Sequence, residues 1–412
     1  MTDSQRMRGF RTETATDPDA ALKRLREDLT AARGPLLEDL GDQVLVTFVH
    51  ITRAESVAVA TPLVPLPPPR IMTPMTRVPG TDVWYHSVAA DPRVSTSYRF
   101  HVDPPPSPGS AAEQLAIVAD QEAMTAFMGE LAASARTDEF NPELAFPAEM
   151  GGLGPETLLT LPKAEPFPYL DGTPLRGTLD EHVLFDERTV SVYLPPDYDA
   201  SASYPVVVAV DGEMLIQHCR LPEVFDGAIA RGAIPPVILV LWHNRTVSSR
   251  MQELACSPQL PAALADELLP WLREHYAVST DPARVVISGM SYGGLATAWV
   301  ALERADAFGA ALIMSGSFWF APPGGVPQWL TREYRDRDRR PVRLAITVGS
   351  LENVPLGMPG VEDVSMVDVS RAFRDTVLAK GYDVAHYAEV PAGHDMINVR
   401  RTVVPALAKL LA

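Results

Sequence analysis

Cysteine is almost absent from this chain of 412 residues, where Cys219 and Cys256 are the only two. Two are too few for a disulfide framework. Neither has a second Cys or a His at zinc-ligand spacing, so both read as small buried apolar residues and no metal site is expected. Long apolar runs are missing as well. The most apolar stretch, Ala233 to Trp242, is interrupted by Pro235 and Pro236 and falls well short of the ~20 residues a bilayer span needs. The polar N-terminus, MTDSQRMRGFRTETATDPDA, has no apolar segment ahead of a cleavage site. A secretory signal is therefore not expected, and a cytoplasmic location is. Positive charge is scarce: 35 Lys and Arg stand against 52 Asp and Glu, a net charge of -17 at pH 7. A phosphate backbone would be repelled on average, which argues against nucleic-acid partners. An anionic small molecule needs only a local basic pocket and stays open. Only four of the 35 basic residues are lysine, a bias of composition rather than of chemistry.

What is present, 46% hydrophobic residues over this length, suffices for one large core or two smaller ones. Residues 1–35 are charged and Ala-rich and read as a polar tail or a leading helix, with helical spacing from Asp19 to Ala32. From Gln43 the pattern turns to short strands, VLVTFVHI, SVAVATPL, VWYHSVAA and STSYRFHV, separated by Pro, Gly and Asp. Such regular spacing predicts a small β-sandwich over residues 36–160. A helical insertion is expected at 111–135, with Leu115, Val118, Met124, Phe127, Met128 and Leu131 on its apolar face. Glu149 to Pro174 is dense in Gly and Pro and reads as a linker, with the boundary near residue 160. Beyond it, near-continuous apolar strands (VSVYL, PVVVAVDG, VILVLW, VVISGM, GAALIMSG, RLAITVGS, VAHYAEV) alternate with helical segments. That alternation predicts an α/β domain over residues 161–412, with a mostly parallel sheet covered on both faces by helices.

The sharpest chemical signal is Gly289-Met290-Ser291-Tyr292-Gly293, directly after one of these strands and directly before a helical run. The string alone is common. Its strand–turn–helix setting makes it a nucleophile elbow: the tight turn pushes Ser291 outward, and flanking glycines avoid side-chain collisions across the turn. The helix N-terminus then faces an oxyanion formed at the serine, with the N–H of Tyr292 as one donor. A second donor is expected from the loop after Val206 to Val210, from the N–H of Gly212 or Glu213.

A serine hydroxyl needs a base, and the base needs an acid to fix its tautomer. In this architecture the chain order is Ser, acid, His. His394, in the loop Pro391-Ala392-Gly393-His394-Asp395 after a C-terminal strand, fits the base, whereas His386 lies inside that strand. Glu352, after the strand Leu344 to Val348, fits the acid, with Asp363 and Asp368 as rivals in the same loop. A Ser/His pair oriented by a backbone carbonyl is a further alternative.

In these residues the sequence resembles the enterochelin esterases, the siderophore-esterase members of the esterase D branch of the α/β-hydrolases. The resemblance runs through Val208 to Met214 (VAVDGEM), Arg250 to Leu254 (RMQEL), Asp266 to Trp271 (DELLPW), Gly289 to Gly294 (GMSYGG), Ser315 to Phe320 (SGSFWF) and Ala392 to Asp395 (AGHD). In the first half it rests on Pro79 to Trp84, on Ser97 to Phe100 and on Asp138 to Pro142. It implies an α/β-hydrolase domain preceded by a small β-sandwich, no cofactor, and hydrolysis of the ester bonds of a ferric catecholate siderophore inside the cell. By the same resemblance Arg250 would meet the substrate's negative charge or pair with Glu253. Phe318 and Trp319 would stack on catechol rings or pack in the core. Another esterase D activity, on acyl or feruloyl esters, and a non-catalytic binding protein are the competing readings.

Overall fold

The computed structural model describes residues 4–64, 72–109, 113, 117, 120–146, 155–185, 187–357 and 361–412. By its internal contacts the chain forms two units, one of Met1–Glu165 together with Pro391–Ile397, the other of Pro166–Val390 with Asn398–Ala412.

The first unit is built from antiparallel strands. β1 (Leu36–Asp39), β2 (Val44–Ile51), β5 (Thr76–Arg77) and β6 (Val83–Ala90) form one sheet in the order β1-β2-β6-β5. β3 (Val57–Ala60), β4 (Thr73–Pro74), β7 (Ser95–Val102), β9 (Leu144–Phe146) and β10 (Glu156–Thr160) form the second in the order β4-β3-β7-β10-β9, and β8 (Ala135–Arg136) pairs β7. Alternation along β2 and β7 supplies the core between them: Phe48 meets Tyr98 at 5.0 Å between ring centroids, and His50 stacks on Phe100 at 4.7 Å. Val49, one step out of phase with Phe48, lies on the opposite face of β2. There it packs with Met7, Phe10, Leu25 and Leu29.

Those four residues belong to two helices, Gln5–Thr14 and Pro18–Ala32, each opened by a side chain that accepts from the first turn, Ser4 from the Met7 N–H and Asp17 from the Ala20 N–H. Residues 1–35 are thus no polar tail in their described part. The charged composition hides an apolar stripe that the sheet buries. Within the predicted insertion the described helix is Gln121–Ser134, with Phe127, Met128 and Leu131 packed with Ala58 and Met72. Leu115 and Val118 lie outside the described residues. The Gly/Pro-rich stretch contains β10, a strand that pairs with β7 from Thr157 opposite Tyr98 to Thr160 opposite Ser95. Between the prolines, ETLLT has the β-branched and apolar residues a strand needs. The Asp138–Pro142 segment is sewn to these strands: Tyr98 Oη donates to Asp138 Oδ2 at 2.7 Å and Asn141 Nδ2 to the Leu158 carbonyl at 2.8 Å.

The second unit holds an eight-stranded sheet. β11 (Thr178–Leu184), β12 (Arg188–Leu194), β13 (Val206–Val210), β14 (Ile238–Trp242), β15 (Val285–Met290), β16 (Ala310–Met314), β17 (Arg343–Gly349) and β18 (Asp383–Val390) run in the order β11-β12-β14-β13-β15-β16-β17-β18. The pairings β11–β12 and β12–β14 are antiparallel; from β14 to β18 every pairing is parallel. Every residue of β13, β14, β15 and β16 is buried, as a sheet covered on both faces requires. The crossing of β13 and β14 within an otherwise sequential order is that of the α/β-hydrolase fold. The helix expected over Pro261 to Tyr276 runs from Gln259 to His275 with a widened turn at Ala263–Leu268. The widening ends beside Pro270, which has no N–H to give to the turn before it. No helix among the described residues is long and apolar enough to cross a membrane.

Burial makes the first unit acid-sensitive. Desolvation lowers the His50 pKa to about 4, with Arg136 adding to it, and lowers that of His101 to about 4, with Arg99 and Arg136 adding to it. Both imidazoles are neutral in the fold and charge on unfolding. Their contribution to stability is present above the unfolded pKa near 6.5 and is lost as pH falls from there to about 4. The expected outcome in urea unfolding at a series of pH values is a stability that declines over that window. His101→Gln should flatten the decline by roughly one proton.

Candidate active site

The parallel strands β13, β15, β16 and β17 end on one edge of the sheet, where this fold collects its chemistry. β15 is followed at once by Ser291, whose backbone sits at φ 60 and ψ -120, far from where a serine rests unaided. Three backbone bonds hold it there: its N–H donates to the Met314 carbonyl at 3.0 Å, and its own carbonyl accepts from the Leu295 and Ser317 N–H groups, each at 3.0 Å. Gly289 is compulsory, and Gly293 leaves little slack. A Cβ on Gly289 would lie 2.5 Å from the Gly293 carbonyl oxygen, and one on Gly293 would lie 3.0 Å from Val210 Cγ2 and 3.1 Å from Asp211 Oδ2. The helix Tyr292–Glu303 starts at once, and no side chain caps its first turn. Its leading N–H groups and the positive end of its dipole therefore face the serine. Ser291 Oγ lies 3.4 Å from Ser317 Oγ.

The turn after β13 lies beside this elbow, as the Gly293-to-Asp211 approach shows. Asp211 is buried and left-handed, at φ 65 and ψ 38, and opens the short helix Gly212–Gln217 without capping it. Its carboxylate is turned to Arg250, which donates from Nε to Oδ1 at 2.6 Å and from Nη2 to Oδ2 at 2.7 Å. Asn244 Nδ2 adds a third bond to Oδ1 at 2.7 Å and also reaches Glu213 Oε1 at 2.7 Å, while the Asn244 N–H donates to Glu213 Oε2 at 3.0 Å. Burial works against the charge on Arg250, but the bonds to Asp211 outweigh it and push the guanidinium pKa up. The pairing of Arg250 with Glu253 is not formed: Glu253 is held by Arg188 at 2.5 Å. Asp211 lies 39 residues from Arg250, beyond any local helix pattern.

Glu352 is buried beyond the end of β17, where its Oε1 accepts from Ser315 Oγ at 2.6 Å, the Gly349 N–H at 2.8 Å and Asn398 Nδ2 at 3.1 Å. Its two rivals are exposed, and Asp368 is engaged in capping the helix Met366–Ala379 with Ser365. His394 lies in the segment Pro391–Ile397, which belongs by its contacts to the first unit. There Thr96 Oγ1 donates to Asp395 Oδ2 at 2.5 Å, the Ser95 N–H reaches the Pro391 carbonyl at 3.4 Å, and Met396 and Ile397 pack with Ala145 and Leu158. A boundary drawn near residue 160 in the sequence misses this exchange, because it depends on contacts some 300 residues apart.

The two aromatic residues expected against a substrate part company. Phe318 is fully buried and stacks on Phe373 at 3.8 Å and 12°, so it is a core residue with no face left for a catechol ring. Trp319 is partly exposed and meets Tyr292 edge-on at 5.7 Å. Sequence reasoning passed over Ser315, Ser317, Asn244, Asn398 and the Thr96–Asp395 pair. Ser315, Ser317 and Asp395 lie within quoted motifs, but the others carried no local signal. Among the described residues no group of three or more His, Cys, Asp or Glu is placed to hold a metal ion.

The strand order and the strained serine define an α/β-hydrolase with a nucleophile elbow. A model of the putative esterase family matches residues 182–410 and one of the N-terminal domain of enterochelin esterase matches residues 46–169, so the chain belongs to the esterase family, in its two-domain enterochelin-esterase form. It is 26% identical over 355 residues to the iron(III) enterobactin esterase of Dickeya dadantii, covering 81% of this chain and 78% of that one. It is likewise 26% identical over 352 residues to the iron(III) salmochelin esterase of an Escherichia coli O6:H1 strain, covering 82% and 79%. Among solved structures it resembles the ferric enterobactin esterase of Salmonella typhimurium, with a TM-score of 0.73, 21% identity and coverage of 92% and 96%. The enterobactin esterase of Shigella flexneri gives a TM-score of 0.69 at 22% identity. These two establish the fold alone.

The elbow yields a direct expectation. Gly289→Ala should cost at least ~1–3 kcal/mol, seen as a lower midpoint in denaturant, with ester hydrolysis falling alongside. Gly129→Ala, mid-helix with nothing within 4 Å, should instead gain roughly 0.5–1 kcal/mol.

Proposed function

We propose that this chain is a serine esterase that hydrolyses the ester bonds of a ferric catecholate siderophore in the cytoplasm, after the iron complex has been imported. The observation that carries the reading is the coincidence, in one chain, of the strained Ser291 elbow with similarity over about four-fifths of its length to esterases named for iron(III) enterobactin and salmochelin. The net charge of -17 supports a small-molecule substrate over a nucleic acid.

In this reading Ser291 Oγ attacks the ester carbonyl carbon while His394 takes its proton, and the carbonyl becomes an oxyanion. The N–H of Tyr292 and the N–H of Gly212 or Glu213 receive that charge. Collapse breaks the ester C–O bond, and His394 returns the proton to the departing alkoxide. Water, deprotonated by His394, then releases the acyl group from Ser291. Glu352 holds the imidazole in the working tautomer; its burial, its three donors to Oε1 and the exposure of Asp363 and Asp368 support it over its rivals. Iron arrives as part of the substrate. Trp319 with Tyr292 offers the aromatic surface for a catechol ring, and Phe318 does not.

Purified protein incubated with a ferric triscatecholate trilactone, and with its iron-free form, should yield linear trimer, dimer or monomer by chromatography. Ser291→Ala should slow this by roughly 10⁴-fold or more. Cleavage of a simple aryl ester with neither trilactone touched would overturn the siderophore assignment while leaving the esterase standing. For the acid, Glu352→Gln should lower kcat by roughly 10²–10⁴-fold, with Asp363→Asn and Asp368→Asn within about twofold of the parent. A silent Glu352→Gln would leave a Ser/His pair.

A further inference from the structure

The aspartate that opens the oxyanion turn is an unusual residue for its place. A helix-opening Asp ordinarily accepts from its own first turn, but Asp211 makes no such bond. Its carboxylate is instead buried against Arg250 and Asn244, at 2.6, 2.7 and 2.7 Å, while its backbone is held left-handed at φ 65. The next side chain along, Glu213, is fixed by the same Asn244 through two further bonds. Gly212 therefore lies between two side chains, Asp211 and Glu213, that are both fixed by groups outside the turn. The same carboxylate borders the elbow, since Asp211 Oδ2 stands 3.1 Å from where a Cβ of Gly293 would be. Bidentate pairing commits Nε and Nη2 of the Arg250 guanidinium to Asp211, and Nη1 faces Met251 Sδ at 3.9 Å. A guanidinium so engaged is a fixed strut rather than a free cation waiting for an anion.

We propose that Arg250 and Asp211, braced by Asn244, are positioning residues that aim the Gly212 and Glu213 N–H groups at the oxyanion, and that Arg250 is not the reader of the substrate's negative charge. The proposal rests on Ser291 as nucleophile and on the turn after β13 as the second oxyanion donor; it does not need the substrate to be a siderophore. It acts on every ester the enzyme cleaves, charged or neutral.

The test compares a small neutral aryl ester with a ferric triscatecholate trilactone in the full chain. Arg250→Lys keeps the charge but not the two-point grip, and Asp211→Asn keeps the shape but not the charge. Each should lower kcat on the neutral ester roughly 10- to 100-fold with KM within about threefold. The double variant should be little worse than the poorer single, because the two act as one unit. An aryl trifluoromethyl ketone, which forms a tetrahedral adduct with the serine and places an oxyanion in the same spot, should lose affinity in step with kcat/KM across the series. A merely structural loss would lower the active fraction without changing the inhibition constant of what remains. Circular dichroism melts identify any variant unfolded at the assay temperature, and for such a variant Asn244→Asp and Arg250→Gln supply the comparison.

Unchanged kcat on the neutral ester, with KM raised only for the ferric substrate, would overturn the proposal and return Arg250 to substrate binding. An unchanged ketone affinity would also overturn it. A parent enzyme that cleaves the neutral ester but not the trilactone refutes the siderophore reading and leaves this test intact. A parent that cleaves neither refutes both.

Discussion

A serine is forced into a backbone conformation it would not choose, and much of the second unit can be read as what holds it there. The strand before Ser291 is buried along its whole length and flanked by parallel neighbours on both sides, so it cannot yield. The helix after it is covered from Gly293 to Ala298. Between these two rigid bodies the turn has only backbone bonds to Met314, Leu295 and Ser317, and room is made by the missing side chains of Gly289 and Gly293. The strain is compensated by packing some distance from the hydroxyl it presents.

Around that point the sheet edge is lined with buried polar groups that are bonded in clusters rather than singly. Asp211 with Arg250 and Asn244 forms one cluster, and Glu352 with Ser315 and Asn398 another. Charge-assisted bonds of this kind cost desolvation and return it only if every member is present. Their geometry is correspondingly fixed, which suits groups that must meet a developing charge without rearranging.

The sequence disclosed what is periodic or local. VLVTFVHI, VWYHSVAA and STSYRFHV are the strands β2, β6 and β7 to the residue, because alternation and flanking turns bound them tightly. The elbow was legible because strand, turn chemistry and helix follow one another without a gap. What failed was tertiary. Phe318 and Trp319 are adjacent and equally aromatic, and only packing against Phe373 decides which one is core. Arg250 has a carboxylate three residues away and takes one 39 residues away. The N-terminal helices carry so many charges that their apolar stripe is faint until a sheet is laid against it. ETLLT is too short a run to overrule the prolines and glycines around it.

The Pro391–Ile397 segment gives the architecture a property that a two-domain diagram conceals. A cut between residues 165 and 166 would follow the contact boundary, yet it would leave the loop bearing His394 without Thr96, and without the Pro62 ring against which Gly393 is pressed. The sandwich is therefore not an interchangeable cassette. The second unit transplanted alone would keep Ser291 and the buried Glu352 and lose what holds the loop bearing His394. Thr96 in β7, far in sequence from any of the motifs, is tied to that loop by its bond to Asp395, so exchanging either piece alone would leave the bond unmade.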